Sequence, residues 1–252
     1  MTTQNNSSFF ANLLPLPLNP VYTFTNLVIG EGNRRAAEVL LALAENRPIG
    51  GLQRSTVLLT GEMATGKTHL LQAAVAHCRE LFGEGAAIYL DLAALRGQLR
   101  ESAERELSLF LSRHDHCRFV AVDDLQEVAP VWQEGILYLF NHLRSVSDGR
   151  MVVASRQSPQ WMGELREDLR SRLLWGAAVV LETLEDALLG EVLAKMVQDR
   201  QVRCSDELLR FLQIRLPRSI AAYVTALQRL DEASLRLKRP LTVPLAKEIL
   251  GL

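Results

Sequence analysis

A glycine-rich loop is the part of this sequence whose residue types and spacing are best suited to chemistry. It reads GEMATGKT from Gly61, directly after the apolar run STVLLT and directly before a helical pattern. Such a loop turns its backbone N–H groups toward phosphates, while the lysine reaches the β- and γ-phosphates and the hydroxyl that follows it ligates Mg²⁺. We therefore expect an ADP or ATP site with Mg²⁺, formed by Gly61, Glu62, Met63, Ala64, Thr65, Gly66, Lys67, Thr68 and His69, in which Met63, Ala64 and Thr65 act through their backbone.

Two consecutive carboxylates follow a second apolar run, FVAV at residues 119–122. A strand that ends in an acid delivers Asp123 beside the phosphate loop, where it can hold the Mg²⁺ shell. Asp124 occupies the position of a water-polarising carboxylate, which is usually Glu, so the shorter side chain predicts slow hydrolysis. The alternative for both is a strand-end turn with two solvated acids.

A third polar group is expected near the γ-phosphate at the end of the next strand, where the sequence reads VVAS. Ser155 is the candidate for this polar sensor. A serine that merely ends a strand has the same sequence, so both interpretations stay open.

The elements that must position these residues alternate along the chain. Five apolar runs, separated by helical patterns, predict a parallel sheet covered on both faces. After Glu182 only helical patterns follow, and one of them has an apolar stripe of Ile220, Val224, Leu227 and Leu230. Strands are predicted at 55–60, 86–92, 118–124, 150–155 and 177–182. Helices are predicted at 33–45, 131–147, 164–174, 184–200, 205–215, 217–237 and 243–250, with a further helical stretch up to about residue 112.

This pattern predicts a flexible arm at 1–20, an α/β domain at 21–182 and a small α-helical domain at 183–252. The three cysteines are scattered along the sequence, which fits a reducing cytoplasm and argues against a disulfide framework. The net charge of −1 among 252 residues does not by itself indicate a nucleic-acid or membrane partner. No apolar run approaches the length of a transmembrane helix. We expect a cytoplasmic protein.

Several further segments resemble one known family, the AAA+ ATPases of the bacterial replication-initiator group, DnaA and its shorter relative Hda. These are LNPVYTFTNLVIG from Leu18, the phosphate loop with THLL, the DDLQ turn and SRLLWG from Ser171. The resemblance covers residues 13–252 and implies an AAA+ P-loop core, with a five-stranded parallel sheet between helices, followed by a helical lid. It also implies an adenine pocket of Tyr22, Val28, Ile29 and Asn33, and an arginine finger at Arg172.

Because the sequence ends with the lid segment, where an initiator would continue into a DNA-binding domain, the resemblance points to the Hda type. That type implies two partners, the DnaA initiator and the DNA polymerase sliding clamp. The clamp is bound by a short peptide that matches Leu14-Pro15-Leu16-Pro17-Leu18, except that Leu13 stands where the family has Gln.

The resemblance also shows two departures near the γ-phosphate. Ala221 stands where the family has a sensing arginine, and Arg218, one turn earlier in the predicted helix, is the candidate substitute. Arg218, Arg229 and Arg236 also share one helix face, which is typical of a solvated or partner-binding stripe. Arg156 follows Ser155 where initiators have an acid. Both departures predict weak ATP hydrolysis by the chain alone.

Three functions remain open. The leading one is an Hda-like regulator whose Arg172 completes the site of the initiator. The second is a self-assembling ATPase, such as an initiator variant or a helicase loader, in which Arg172 acts on a second copy in a homo-oligomer. The third is a DNA-binding variant that uses the basic helical region, in which residues 203–252 contain nine Lys or Arg and five Asp or Glu.

Overall fold

A computed structural model describes residues 17–48, 56–95, 117–200 and 204–252. Its centre is a five-stranded sheet in the order β2-β3-β4-β1-β5, and every neighbouring pair is parallel. The strands are β1 (Thr56–Gly61), β2 (Ala87–Asp91), β3 (Phe119–Asp123), β4 (Arg150–Ser155) and β5 (Ala177–Leu181). The helices of this part are α1 (Glu31–Ala44), α2 (Lys67–Phe82), α3 (Leu92–Leu95), α4 (Pro130–Ser145) and α5 (Glu167–Leu174).

Each face of the sheet contributes to its own apolar core. Side chains alternate between the two faces of a strand, so Ile88 and Leu90 pack with α4 and α5, whereas Tyr89 packs with α1 and α2. The same alternation puts Val120 and Val122 on the α4 face, and Phe119 and Ala121 on the α2 face. The uninterrupted apolar runs in the sequence follow from this two-sided burial.

A second unit is helical and comprises 183–252 together with two short segments, 28–32 and 63–65. Its helices are α6 (Asp186–Asp199), α7 (Asp206–Arg215), α8 (Ile220–Leu237) and α9 (Val243–Leu250). The last three begin at hydroxyl caps that accept a hydrogen bond from a main-chain N–H of the first turn, which is the usual N-cap arrangement. The cap residues are Ser205, Ser219 and Thr242.

The predicted fold class is confirmed, and all five predicted strands are present with ends that differ by at most one residue. The α/β unit extends to Glu182, and the segments 28–32 and 63–65 group with the helical unit. The predicted stripe of α8 is correct at Leu227 and Leu230, but Val224 is exposed and Tyr223 takes its place in the core. Val224 and Tyr223 are adjacent, so a small rotation of the helix decides between them.

The arm at 1–20 and the helical stretch up to residue 112 fall largely outside the described residues. No helix in the described part of the chain is long and apolar enough to cross a membrane.

Candidate nucleotide site

Three of the predicted site residues lie at one edge of the sheet. Strand β4 lies between β1 and β3, and all three strands are parallel. Gly61 at the end of β1, Ser155 at the end of β4 and Asp123 at the end of β3 therefore share the carboxyl edge. This is the edge at which open parallel sheets bind their ligands.

The phosphate loop joins β1 to α2 and contains two residues in left-handed backbone conformations. Ala64 has φ 61° and Gly66 has φ 99°. Gly66 is the residue that precedes α2 and has no side chain to cap the helix N-terminus, which is the end of a helix that attracts anions. A loop of this conformation directs successive N–H groups to one side, as a phosphate requires.

Lys67 is buried and its ammonium group is held by the loop itself. Its Nζ donates to the carbonyl oxygens of Gly61 at 2.7 Å and Glu62 at 2.6 Å. Burial lowers the pKa of Lys67, while the nearby carboxylates of Asp123 and Asp124 act in the opposite direction. The side chain is thus anchored near both acids, and its role in binding the β- and γ-phosphates stays a prediction.

Asp123 is almost fully buried, and both of its oxygens accept hydrogen bonds. The Tyr89 hydroxyl donates to Oδ2 at 3.0 Å, and the Asp124 main-chain N–H donates to Oδ1 at 2.9 Å. Burial raises the pKa of Asp123, and interactions with the Thr68 and Tyr89 side chains oppose the shift. The position of this carboxylate is therefore determined by three neighbours.

Thr68 and Asp123 fit a Mg²⁺ ion that is shared with phosphates. A hydroxyl and a carboxylate that interact with each other provide the hard oxygen ligands that Mg²⁺ takes from proteins, with water and phosphate oxygens as the remaining ligands. When bound, the ion would offset negative charge on the phosphates. Lys67 and the loop N–H groups would bind the phosphates directly.

Asp124 has a left-handed backbone, with φ 54° and ψ 49°. Among residues with a Cβ, Asp and Asn adopt this conformation most readily, so the backbone at this position suits an aspartate. Its Oδ1 accepts from Gln126 Nε2 at 2.6 Å, and Gln126 Oε1 accepts from the Arg156 N–H at 3.1 Å. Gln126 thus connects the turn after β3 to the loop after β4.

Ser155 is fully buried, and its hydroxyl donates to the Gln157 carbonyl at 2.6 Å. This hydrogen bond closes the turn after β4. It supports the interpretation of a strand-end serine, and the role of polar sensor stays a prediction. Arg156 beside it is exposed.

The four predicted adenine-pocket residues belong to two different units. In the α/β unit, the Tyr22 ring stacks on His69 with centroids 4.8 Å apart, and Asn33 is buried in α1. In the helical unit, Val28 is part of the apolar core, whereas Ile29 is partly exposed. His69 also contacts the Thr23 carbonyl through Nε2 at 2.8 Å, so its ring holds the segment before α1.

Arg172 lies in the last turn of α5 and is only partly buried. Its Nη1 donates to the Asp168 carbonyl one turn earlier. Arg170 on the same helix differs, because its Nη2 donates to the carbonyls of both Met162 and Leu165. Arg170 has a structural role, and Arg172 is the arginine with the greater freedom to reach a partner.

Arg218 does not lie within a helix, contrary to the prediction. Helix α8 begins at Ile220 after the cap residue Ser219, whose φ is −151°. The helical spacing from Ala221 therefore does not apply to Arg218. Its Nη1 lies 3.5 Å from Asp186 Oδ2, and both side chains are about two-thirds exposed, so this ion pair contributes little to stability. Its role as a nucleotide sensor stays a prediction.

Tyr89, Gln72 and Gln126 are functional candidates that the motifs do not indicate. Tyr89 is part of a continuous apolar run, and Gln72 is an internal residue of a helix. Gln126 belongs to the DDLQ turn, and its position two residues after Asp124 is a weak signal in the sequence for a side chain that folds back. Only the pairing of the strands brings Tyr89 to Asp123.

Comparison with known proteins identifies two segments of the chain. Residues 18–180 match the family model of the bacterial DnaA ATPase domain, and residues 186–250 match that of the Hda lid domain. An uncharacterized protein of Haemophilus influenzae is 31% identical over 95% of this chain and 98% of its own length. The chromosomal replication initiator DnaA of Aliarcobacter butzleri is 28% identical over 92% of this chain and 52% of its own length. The chain thus spans about half the length of that initiator.

Solved structures show the same fold. Domain III of the Thermotoga maritima replication initiation protein DnaA superposes with a TM-score of 0.74 at 24% identity, over 94% of this chain and 98% of that one. AMPPCP-bound DnaA from Aquifex aeolicus gives a TM-score of 0.63 at 24% identity, over 87% of this chain and 68% of that one.

Proposed function

Because this chain belongs to the bacterial DnaA family of AAA+ ATPases and its lid matches the Hda type, we propose that it is a nucleotide-binding regulator of replication initiation. In this proposal it binds ADP or ATP with Mg²⁺ at its own phosphate loop. It then stimulates ATP hydrolysis by the DnaA initiator through Arg172. The nucleotide of this chain serves to hold its conformation, and the hydrolysed nucleotide is that of the partner.

The observation that carries the proposal is the difference between Arg170 and Arg172 on α5. Arg170 is tied to two main-chain carbonyls, whereas Arg172 holds one carbonyl of its own helix. Replacing that hydrogen bond with one to a phosphate oxygen requires little free energy, because only one contact is broken. An arginine supplied to a neighbour's γ-phosphate stabilises charge in the transition state and accelerates hydrolysis by about 10³–10⁵-fold.

The site of the chain itself supports a binding role more than a turnover role. Asp124 stands where a longer acid is usual, and its carboxylate is held by Gln126. Arg156 follows the predicted sensor Ser155 at the position where the family resemblance leads us to expect an acid. We therefore propose tight nucleotide binding with slow hydrolysis by this chain alone.

The central experiment measures ATP hydrolysis by purified DnaA with and without this protein, each in the presence and absence of DNA-loaded sliding clamp. We expect stimulation by the parent protein and its loss in Arg172→Ala, with nucleotide binding by the variant unchanged. Arg210→Ala, on the exposed face of α7, is the matched control and should stimulate fully. Equal stimulation by parent and Arg172→Ala would refute the arginine-finger role.

We propose the sliding clamp as the second partner, through the N-terminal peptide that ends in Leu14-Pro15-Leu16-Pro17-Leu18. Leu13 lacks the amide that the family motif provides, so the affinity should be weak. Leu13→Gln should increase clamp affinity in surface plasmon resonance, since a directional hydrogen bond is restored. An unchanged affinity would show that this segment does not bind the clamp in the proposed way.

A self-assembling ATPase is the second candidate, because the same exposed end of α5 could present Arg172 to another copy of the chain. It predicts intrinsic turnover that rises with protein concentration. Arg172→Ala should then lower turnover of the isolated protein. Absence of turnover at every concentration would exclude this candidate.

A further inference from the structure

Tyr89 lies beside the predicted metal ligand without being part of any nucleotide-binding motif. Its side chain is 2% exposed, and its hydroxyl donates to Asp123 Oδ2 at 3.0 Å. Strands β2 and β3 pair in register, with Tyr89 opposite Ala121 and Asp91 opposite Asp123. The tyrosine is thus two residues short of Asp123 along the sheet, and its long side chain spans that diagonal distance.

Gln72 extends this contact toward the N-terminal part of the chain. It is buried on α2, its side chain interacts with the Tyr89 hydroxyl, and its Oε1 accepts from the Asn19 main-chain N–H at 2.7 Å. The interactions therefore run from Asn19 through Gln72 and Tyr89 to Asp123. All four residues belong to the α/β unit.

The segment around Asn19 lies along α2 through further contacts. Tyr22 stacks on His69, the Thr23 carbonyl contacts the same ring, and Phe24 meets His77 edge to face with centroids 6.0 Å apart. Leu18 packs against the apolar core of this face. Segment 18–27 is thus held by the helix that begins with Lys67 and Thr68, and Gln72 connects it to Asp123 through Tyr89.

We propose that Tyr89 is a positioning residue that orients Asp123 for Mg²⁺, and that Gln72 couples this orientation to the anchoring of segment 18–27. The Tyr89 hydroxyl and the Asp124 N–H each occupy one carboxylate oxygen, so they select one orientation of the group and leave its remaining lone pairs toward Thr68. Partners that orient a metal ligand typically change metal affinity by about 10–100-fold. The coupling follows because a shift of Gln72 alters both the Tyr89 hydroxyl and the Asn19 hydrogen bond.

Tyr89→Phe tests the positioning role, since it removes only the hydroxyl. ADP affinity is measured by calorimetry in Mg²⁺ and again in excess EDTA. We expect the gain in affinity that Mg²⁺ provides to fall by about tenfold, with the affinity in EDTA unchanged. Tyr223→Phe, at an equally buried tyrosine of the helical unit, is the matched control and should keep the full gain. A full Mg²⁺ gain in Tyr89→Phe would overturn the proposal.

Hydrogen exchange tests the coupling without reference to catalysis or to the initiator. The reporter is the Tyr22 amide, whose N–H donates to the Asn19 carbonyl at 3.0 Å and does not depend directly on Gln72. In the parent protein, protection of this amide should rise with Mg²⁺ and ADP together, and less with ADP in EDTA. Gln72→Leu keeps the helix and the Tyr89–Asp123 contact but should abolish the Mg²⁺-dependent part of that protection. If Gln72→Leu responds as the parent does, the coupling is wrong. Both tests need only this protein, ADP and Mg²⁺, so their outcomes do not depend on whether the protein stimulates DnaA.

Discussion

The guanidinium of Arg172 donates to the main-chain carbonyl of Asp168, with Nη1 and O 3.1 Å apart, on the same helix. The Asp168 side chain is engaged elsewhere, with the Arg166 guanidinium and the Leu169 N–H. Arg172 is thus held by a backbone group, which a small rotation of the side chain releases. This arrangement keeps the candidate finger ordered before any partner is present.

Arg170→Ala should destabilise the protein, whereas Arg172→Ala should leave stability nearly unchanged. Loss of Arg170 removes the side-chain donor of the Leu165 carbonyl and one of the two donors of the Met162 carbonyl, which costs about 2 kcal/mol. Loss of Arg172 removes a single hydrogen bond worth about 1 kcal/mol or less. The free energies of unfolding in urea measure the difference. Equal losses of unfolding free energy in the two variants would contradict the structural role of Arg170.

Lys67→Met should weaken nucleotide binding without lowering stability. The ammonium group provides charge-assisted hydrogen bonds to phosphates worth about 1.5–3 kcal/mol, or roughly 10–100-fold in affinity. The variant loses the two hydrogen bonds from Nζ to the Gly61 and Glu62 carbonyls, but it also avoids the cost of burying a charge, the effect that lowers the pKa of Lys67. We expect these two contributions to stability to offset each other. Calorimetric titration with Mg²⁺ and ADP measures the nucleotide affinity, and a thermal melt without nucleotide measures the stability. Unchanged affinity would remove Lys67 from the site.

Gly66→Ala should strain the phosphate loop by about 1–2 kcal/mol, because a residue with a Cβ must adopt φ 99° there. No atom lies within 4 Å of the added Cβ, so the cost is one of backbone conformation alone. Gly163→Ala is the control, since it also meets no neighbour and requires no positive φ. Urea unfolding of the two variants should separate them, and similar stabilities would show that the loop relaxes freely.

Gly30→Ala should destabilise the helical unit by about 1–3 kcal/mol. The added Cβ would lie 2.2 Å from Glu185 Oε2 and 2.8 Å from side-chain atoms of Leu184 and Leu188. Gly190→Ala in α6 is the control within the same unit, because its Cβ meets only the flexible end of Gln213 at 3.3 Å. Hydrogen exchange of α6 reports on both variants. Unchanged protection in Gly30→Ala would show that segment 28–32 adjusts without loss.

Cys204 should be alkylated by iodoacetamide at pH 8 well before Cys78 and Cys117. Burial raises the pKa of the Cys78 thiol to about 11 and that of Cys117 to about 12, so both are protonated and inaccessible at this pH. Burial also raises the pKa of Cys204, but this residue is only half-buried. Peptide mass spectrometry gives the order of labelling, and Cys204→Ser should leave a protein that reacts only after unfolding. Rapid labelling of Cys78 in the folded protein would contradict its burial.

The sequence predicts the sheet and the phosphate loop well, because each rests on local signals. Five apolar runs identify the strands, and the spacing of Gly61, Gly66 and Lys67 identifies the loop. The position of Asp123 near that loop follows from its place at the end of a parallel strand. These features need no knowledge of which strands are neighbours.

Contacts across the sheet could not be predicted in this way. Tyr89 and Leu90 are equally apolar neighbours in one buried strand, so no period in the sequence shows which faces α2. The predicted start of α8 at residue 217 is wrong for another reason. Pro217 and Ser219 are both residues that commonly begin a helix. In the structure the Ser219 hydroxyl accepts a hydrogen bond from the Ala222 N–H, so Ser219 is the N-cap.

Gln126 gives the site an evolutionary constraint. One amide holds both the Asp124 carboxylate and the Arg156 main-chain N–H, so replacements at positions 124 and 126 cannot be energetically independent. A longer acid at position 124 would need a different partner at 126, and each change alone would pass through a poorly ordered intermediate. Descendants of this chain should therefore exchange the pair together or retain both, which is epistasis arising from a single side chain.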